Sequence, residues 1–436
     1  MMRRISLPEE ESRFKEFLEE RKNFFSGDLF SQTSDIVEQV ARKGDQALLD
    51  LTEKYDGVRL KEIKVSPETL KSAGIDDNLL KALKRSKENL EDFYQQQSRK
   101  QSWFISRGRS LVGEQVRPLD RVGLYIPGGR AAYPSSVLMT AIPARTAGVE
   151  EIVAVTPPSR EGINPVTARA LDLCGVSEVY ALGGAQAVAA LALGTESIRA
   201  VDKIVGPGNK YVTMAKKILY GQVDIDMLAG PSEILIVAGD KARPDFIAAD
   251  LLAQAEHDPE ARTVLVTFTA GLLEQVEAEL EKQLEKLSTA ETARRALASH
   301  GLLISVADLE EALKVANRYA PEHLELLVEE PLAAAGEIKH AGSIFLGSWS
   351  PEVLGDYLAG PNHVLPTAGT ARFSSGLGIE DFLKSSGLVY YDYQELENEA
   401  RDIGLIAEAE GLPAHARAAL IRLDSRSRNR GKFKND

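Results

Sequence analysis

The apolar positions change period along the chain, and the change divides it into regions. Over residues 34–40 and 45–55 they recur at helical spacing, with Gly44 breaking the run. Residues 79–97 continue in the same style, rich in Lys, Glu and Gln. Near Val122 the pattern switches. Short β-type apolar runs at 122–126, 151–155, 178–182 and 203–206 alternate with helix-type stretches at 135–147, 165–174, 186–193 and 210–219. Strands alternating with helices are the mark of βαβ units and a parallel sheet. A second series of strands follows at 234–238, 263–268, 302–306 and 343–346, again with helical segments between. After Gly387 a short strand at 388–391 leads into a charged helix over 395–410, and Gly411-Leu412-Pro413 precedes a last helix near Ala414.

This pattern predicts an α/β protein with two doubly wound, incomplete Rossmann-like domains, a helical N-terminal segment and a small C-terminal tail domain. The expected boundaries are 1–110 for the helical segment, partly packed on the second α/β domain, 111–233 for the first α/β domain, 234–385 for the second, and 386–436 for the tail. The tail is too short to fold alone and needs a surface to pack on, a second subunit being one candidate.

Three glycine turns follow strands of the first series: the one ending in LYIPGG at Gly129, LGGAQA at 182–187, and GPGNKY at 206–211. Glycines at the carboxyl ends of parallel strands let backbone N–H groups approach a phosphate. None matches the dinucleotide fingerprint, since the third has Tyr211 where the last glycine belongs. Any one of them serves equally well as a tight βα turn. Three in one sheet, with Tyr125, Gln186 and Asn209 beside them, favour a nucleotide crevice.

Composition narrows the classes. With 44% hydrophobic and 27% charged residues, the 436-residue chain has material for more than one core. A net charge of −13 argues against general affinity for nucleic acid or anionic membrane, despite a basic stretch from Arg422 to Lys434. No apolar run reaches the length of a membrane span, and no signal-type segment precedes Glu9. A single cysteine, Cys174, excludes an intrachain disulfide, so the chain reads as cytoplasmic. Cys174 closes an apolar helix with no adjacent cation and reads as a core residue, not a nucleophile.

Histidine is scarce, with six in the chain. His300 and His340 read as surface residues at element ends. The others lie among polar neighbours. Gln254 and His257 are three apart near the end of a helix that Pro259 stops, so both can face one centre. Glu322 and His323 follow Pro321, which can open a turn or a helix. Asp356 and His363 flank a stretch whose glycines and Pro361 argue against a regular helix. His415 follows Glu410 in the tail. A carboxylate, an amide and imidazoles suit Zn²⁺, with Mn²⁺ or Co²⁺ as alternatives, yet each histidine alone is as readily a hydrogen-bonded loop residue. The residues by themselves also permit a metallohydrolase.

Taken together, LYIPGG, LGGAQA, VDKIVGPGN, DMLAGPSE, DLLAQAEHDP, YAPEHLE, GDYLAGPNHVLPT and EAEGLPAH, spread from Arg117 to His415, resemble the histidinol dehydrogenase family. The resemblance implies oxidation of L-histidinol to L-histidine with two NAD at a zinc ion, and a homodimer with a shared active site. It implies that Gln254, His257, Asp356 and His415 hold the zinc and that Glu322 and His323 are the acid–base pair. Ser232, His363 and Glu410, together with Gln254, His257, His323, Asp356 and His415, match substrate-contacting positions, and Tyr125, Gln186 and Asn209 match NAD-contacting ones. Asp258, Leu358 and Pro361 vary the motifs without replacing a named residue. A related dehydrogenase acting on another hydroxy compound is the alternative it leaves.

Overall fold

The computed structural model describes residues 2–21, 27–97, 100–128, 132–176 and 178–430, with side chains to residue 423. Its contacts divide the chain into two compact units, residues 1–98 with 119–382, and 99–118 with 383–436.

The larger unit contains two parallel sheets. Glu178–Ala181, Glu151–Thr156, Arg121–Tyr125, Lys203–Val205 and Asp224–Ile225 lie side by side in that order. The chain starts in the middle, works to one edge, then crosses to the other side, so the order reverses between Arg121–Tyr125 and Lys203–Val205. The second sheet repeats this plan with Gly301–Ser305, Arg262–Thr267, Glu233–Ala238, His323–Leu327 and Ser343–Leu346. Helices cover both faces, which is why the central strands read as unbroken apolar runs: every residue of Glu233–Ala238 and Arg262–Thr267 is buried.

Three features depart from the pattern read in the sequence. The N-terminal region is not wholly helical: Arg3–Ser6 is a strand that pairs in parallel with Gly301–Ser305 at the edge of the second sheet. Only Ile5 of its four residues is buried on the edge, too little alternation to register as a strand. His323 lies in a strand, His323–Leu327, not in a turn or helix opening at Pro321. Its buried Glu325 interrupts the apolar run that would have marked it. Asp356 sits on a short helix, Val353–Tyr357, where the glycines and Pro361 suggested irregular backbone; Gly355 lies within that helix, and Gly360 and Pro361 fall after it ends at Tyr357.

The N-terminal helices serve both layers. Phe14 and Phe17 of the helix Glu11–Glu20 join Val264, Ile304 and Tyr319 on the second sheet. Val40, Leu48 and Leu51, from Gly27–Lys43 and Asp45–Asp56, pack with Val188 and Leu191 over the first. At roughly 1.5–3 kcal/mol per buried large side chain, such contacts hold these helices in place.

The smaller unit is an antiparallel sheet of Trp103–Arg107, Ser110–Pro118 and Leu383–Tyr390, followed by the helices Tyr393–Ala409 and Pro413–Arg430. The strand read at 388–391 is thus longer, and two strands near residue 110 belong beside it in space.

Candidate active site

The site is built at the amino ends of two adjacent strands in the second sheet. His323 begins one strand and Glu233 the other, and parallel pairing sets His323 opposite Ile234. The usual site of an open α/β sheet, at the carboxyl ends of its strands, is not where these side chains gather. His323 Nδ1 lies 3.0 Å from the Glu233 carbonyl. A carbonyl only accepts, so Nδ1 carries the proton, and in the neutral ring Nε2 is left with its lone pair. The carboxylate Oε2 of Glu322 accepts the Glu233 N–H at 2.7 Å and lies 3.7 Å from His323 Nδ1. One residue therefore holds both members of the pair through its two peptide groups.

Burial sets the charge of these groups. It pushes the Glu322 carboxyl well above the usual range, with the Glu233 N–H opposing and the Glu233 and Asp356 carboxylates adding to the rise. Burial also lowers His323; Asp356 and the Glu233 carbonyl pull it up, while His257 and His363 push it down. His363 is lowered in the same way, chiefly by burial. Both imidazoles are consequently neutral near pH 7.

The donor set lies in this same electrostatic neighbourhood. Gln254, in the last turn of the helix Pro244–Ala255, is buried, and its Oε1 has no hydrogen-bond partner among the described residues. His257 follows in the turn, where it is exposed. Ligand atoms of His257, Glu352 and Asp356 lie within 4.8 Å of one another. His363 Nδ1 is 3.6 Å from Asp356 Oδ1, and its Nε2 is 3.4 Å from the Ser136 hydroxyl. An imidazole with two carboxylates is a nitrogen–oxygen set that fits a zinc-type cation, and the unpartnered amide oxygen of Gln254 comes three residues before that imidazole in the chain.

The segment from Asp356 to His363 is held by the helix Asp77–Gln96. Ser86 Oγ donates to the Tyr357 carbonyl, and Asn89 Nδ2 donates to that of Leu358 at 2.8 Å. Asn362 Nδ2 donates to Tyr94 Oη at 2.8 Å and to the Met139 carbonyl at 2.6 Å. Ser232, half-buried, immediately precedes Glu233.

Tyr125, Gln186 and Asn209 line one cavity of about 1380 Å³ at the carboxyl ends of the first sheet, together with Gly128, Thr156 and Gly184. Tyr125 is buried, and its Oη accepts the Gly184 N–H at 3.1 Å. Asn209 Oδ1 caps the helix Lys210–Leu219 by accepting the N–H groups of Tyr211 and Val212. Gly206 has φ +112°, and a Cβ there would lie 2.2 Å from the Tyr125 carbonyl, so this turn requires glycine. Gly129 lies outside the described residues.

Glu410 and His415 belong to the smaller unit, and both are exposed there. His300 is half-buried, with Nε2 3.3 Å from Glu260, and is less of a surface residue than its position between elements suggested; His340 is likewise half-buried. Cys174 is buried, which pushes its thiol up to about 12.

Sequence reading did not single out Arg21, Ser136, Glu233 or Glu352. Glu233 carried a signal, as a carboxylate opening an apolar run in GPSEILIV. Arg21 carried none, for its partner is 212 residues away.

The comparisons agree with one another. The family model for histidinol dehydrogenase matches residues 19–423. A histidinol dehydrogenase of Bacillus cereus is 50% identical over 93% of this chain and 95% of its own length. One from Geobacillus kaustophilus is 50% identical over 89% and 93% respectively. The crystal structure of histidinol dehydrogenase from Elizabethkingia anophelis superposes with a TM-score of 0.90 at 37% identity, covering 98% of this chain and 99% of that one. The chain belongs to the histidinol dehydrogenase family.

Proposed function

We propose that the chain oxidises L-histidinol to L-histidine through L-histidinaldehyde, using two NAD and one zinc per subunit. The observation that carries this reading is His323, its Nδ1 held by the Glu233 carbonyl, with the buried Glu322 on the same peptide and the ligand atoms of His257, Glu352 and Asp356 gathered within 4.8 Å of one another. His415, contributed by a neighbouring subunit of a homodimer, would complete the donor set. Bound zinc would fix the substrate's amine and imidazole, and bound NAD would accept the electrons.

The protons fall to the chain itself. His323 Nε2 accepts the hydroxyl proton of the alcohol, which an imidazole neutral at pH 7 can do. Glu322 takes a proton from water as the aldehyde becomes its hydrate; a carboxyl raised by burial is a stronger base than a surface carboxylate. His323 then acts again on the hydrate. Ser232, His363 and Glu410 hold the substrate's polar end, and the cavity around Tyr125, Gln186 and Asn209 takes the dinucleotide.

The test is the yield of NADH per L-histidinol, with and without a chelator. We expect two NADH, abolished by chelation and restored by zinc. A yield of one, indifference to the chelator, or no NADH overturns the reading, the last outcome pointing to a hydrolase.

A further inference from the structure

Buried in the larger unit is an ion pair between residues 212 positions apart in the sequence. Arg21, from the turn after the first helix, and Glu233 have side chains 3% and 1% exposed. The guanidinium makes a forked contact, Nε to Oε1 at 3.3 Å and Nη2 to Oε2. Its Nη1 donates to the Tyr319 carbonyl at 2.6 Å, and its Cζ lies 3.6 Å from the Tyr319 ring centroid. Glu233 Oε1 also accepts the Ala368 N–H at 2.7 Å.

A buried ion pair is a poor source of stability, because desolvation offsets most of the attraction. Its position suggests another use. Glu233 offers its N–H to Glu322 and its carbonyl to His323. Tyr319 stands three residues before Glu322, on the segment that delivers both side chains. One guanidinium thus fixes the peptide that orients the pair and the backbone that carries it. Its planar fork suits two such fixed acceptors, as a lysine ammonium would not.

We propose that Arg21 and Glu233 are positioning residues for the reaction: the brace between them sets the peptide planes that hold Glu322 in place and His323 in its Nδ1–H tautomer. The proposal rests on the reading of Glu322 and His323 as the proton-handling pair.

The test compares three variants of the full-length protein. Arg21→Met with Glu233→Gln removes both charges together, so no lone ion is left buried. We expect kcat to fall at least tenfold, with KM for L-histidinol within twofold and zinc content unchanged. The acid limb of kcat should move to lower pH, because a carbonyl accepting the ring proton favours the imidazolium. A kcat within twofold of wild type, or an unmoved limb, overturns the brace. Should the double variant not fold, Arg21→Lys keeps the charge and loses the fork; a fivefold loss of kcat supports the brace, and an unchanged kcat overturns it. His323→Asn is assayed in parallel. If it turns over normally, the acid–base assignment falls and the brace with it; if it is inactive while the brace variants are not impaired, the brace alone falls.

Discussion

His323 has one ring nitrogen, Nδ1, fixed by a carbonyl, which leaves the other for the proposed chemistry. Nδ1 lies 3.0 Å from the Glu233 carbonyl, so the proposed proton transfer falls to Nε2. An asparagine at this position keeps a donor for that carbonyl but has no base. His323→Asn should lower turnover by about 10²–10⁴ while zinc content, read by atomic absorption, stays at one per subunit. Loss of metal would mean that His323 holds the cation and would overturn the division of roles. Cys174 gives the opposite expectation. With its thiol pushed up to about 12 by burial it has almost no thiolate at neutral pH. Cys174→Ala should keep full turnover, and the wild-type thiol should resist thiol reagents until the protein unfolds.

At the scale of elements, the strand ends are tied by charges and the site loop by a helix. Arg121, buried at the start of its strand, donates to Glu151 at 2.6 Å and to Glu178 at 3.1 Å. Hydrogen bonding from Arg121 holds the Glu178 carboxyl down at about 2, against the desolvation that raises it. Since the folded value lies below the unfolded one, the stabilisation is present above about pH 4 and is lost as pH falls toward 2. Glu178→Gln should cost about 1–3 kcal/mol at pH 7, allowing for partial exposure, and the gap in urea unfolding should close between pH 4 and 2. A gap that did not change with pH would assign the loss to packing. The helix Asp77–Gln96 makes a separate prediction. Tyr94→Phe removes the Oη that accepts from Asn362, leaving that amide with the Met139 carbonyl. It should destabilise by about 1–2 kcal/mol in urea. Zinc should bind more weakly as well, because Asp356 stands six residues before Asn362 on the same segment.

At the scale of the whole molecule, the expected zinc ligands are divided between the two compact units, His415 on one and Gln254, His257 and Asp356 on the other. If His415 serves the neighbouring subunit, two inactive variants can complement each other. Mixed and refolded, His323→Asn and His415→Asn chains should recover about one quarter of wild-type activity, since half of the dimers are mixed and each has one intact site. No recovery would place His415 in the site of its own chain.

Much of this was legible in the sequence because it is written in local pattern. The alternation of short apolar runs with helical stretches announced parallel layers, since strands buried on both faces must be apolar throughout. Long motifs carried the family. The order of strands, the reversal beside Arg121–Tyr125 and the strand Arg3–Ser6 at the edge of the second sheet were decided only in three dimensions. The His323 strand escaped because Glu325, a buried acid, breaks its apolar run. Arg21 escaped for a more general reason. A buried ion pair leaves no periodicity, and nothing local to an arginine near the N-terminus tells that a carboxylate 212 residues later needs it. The sequence by itself determined the layers and the chemistry available to the site. Tertiary structure decided which peptide groups hold that chemistry in place, because hydrogen bonds between distant segments depend on how the segments pack.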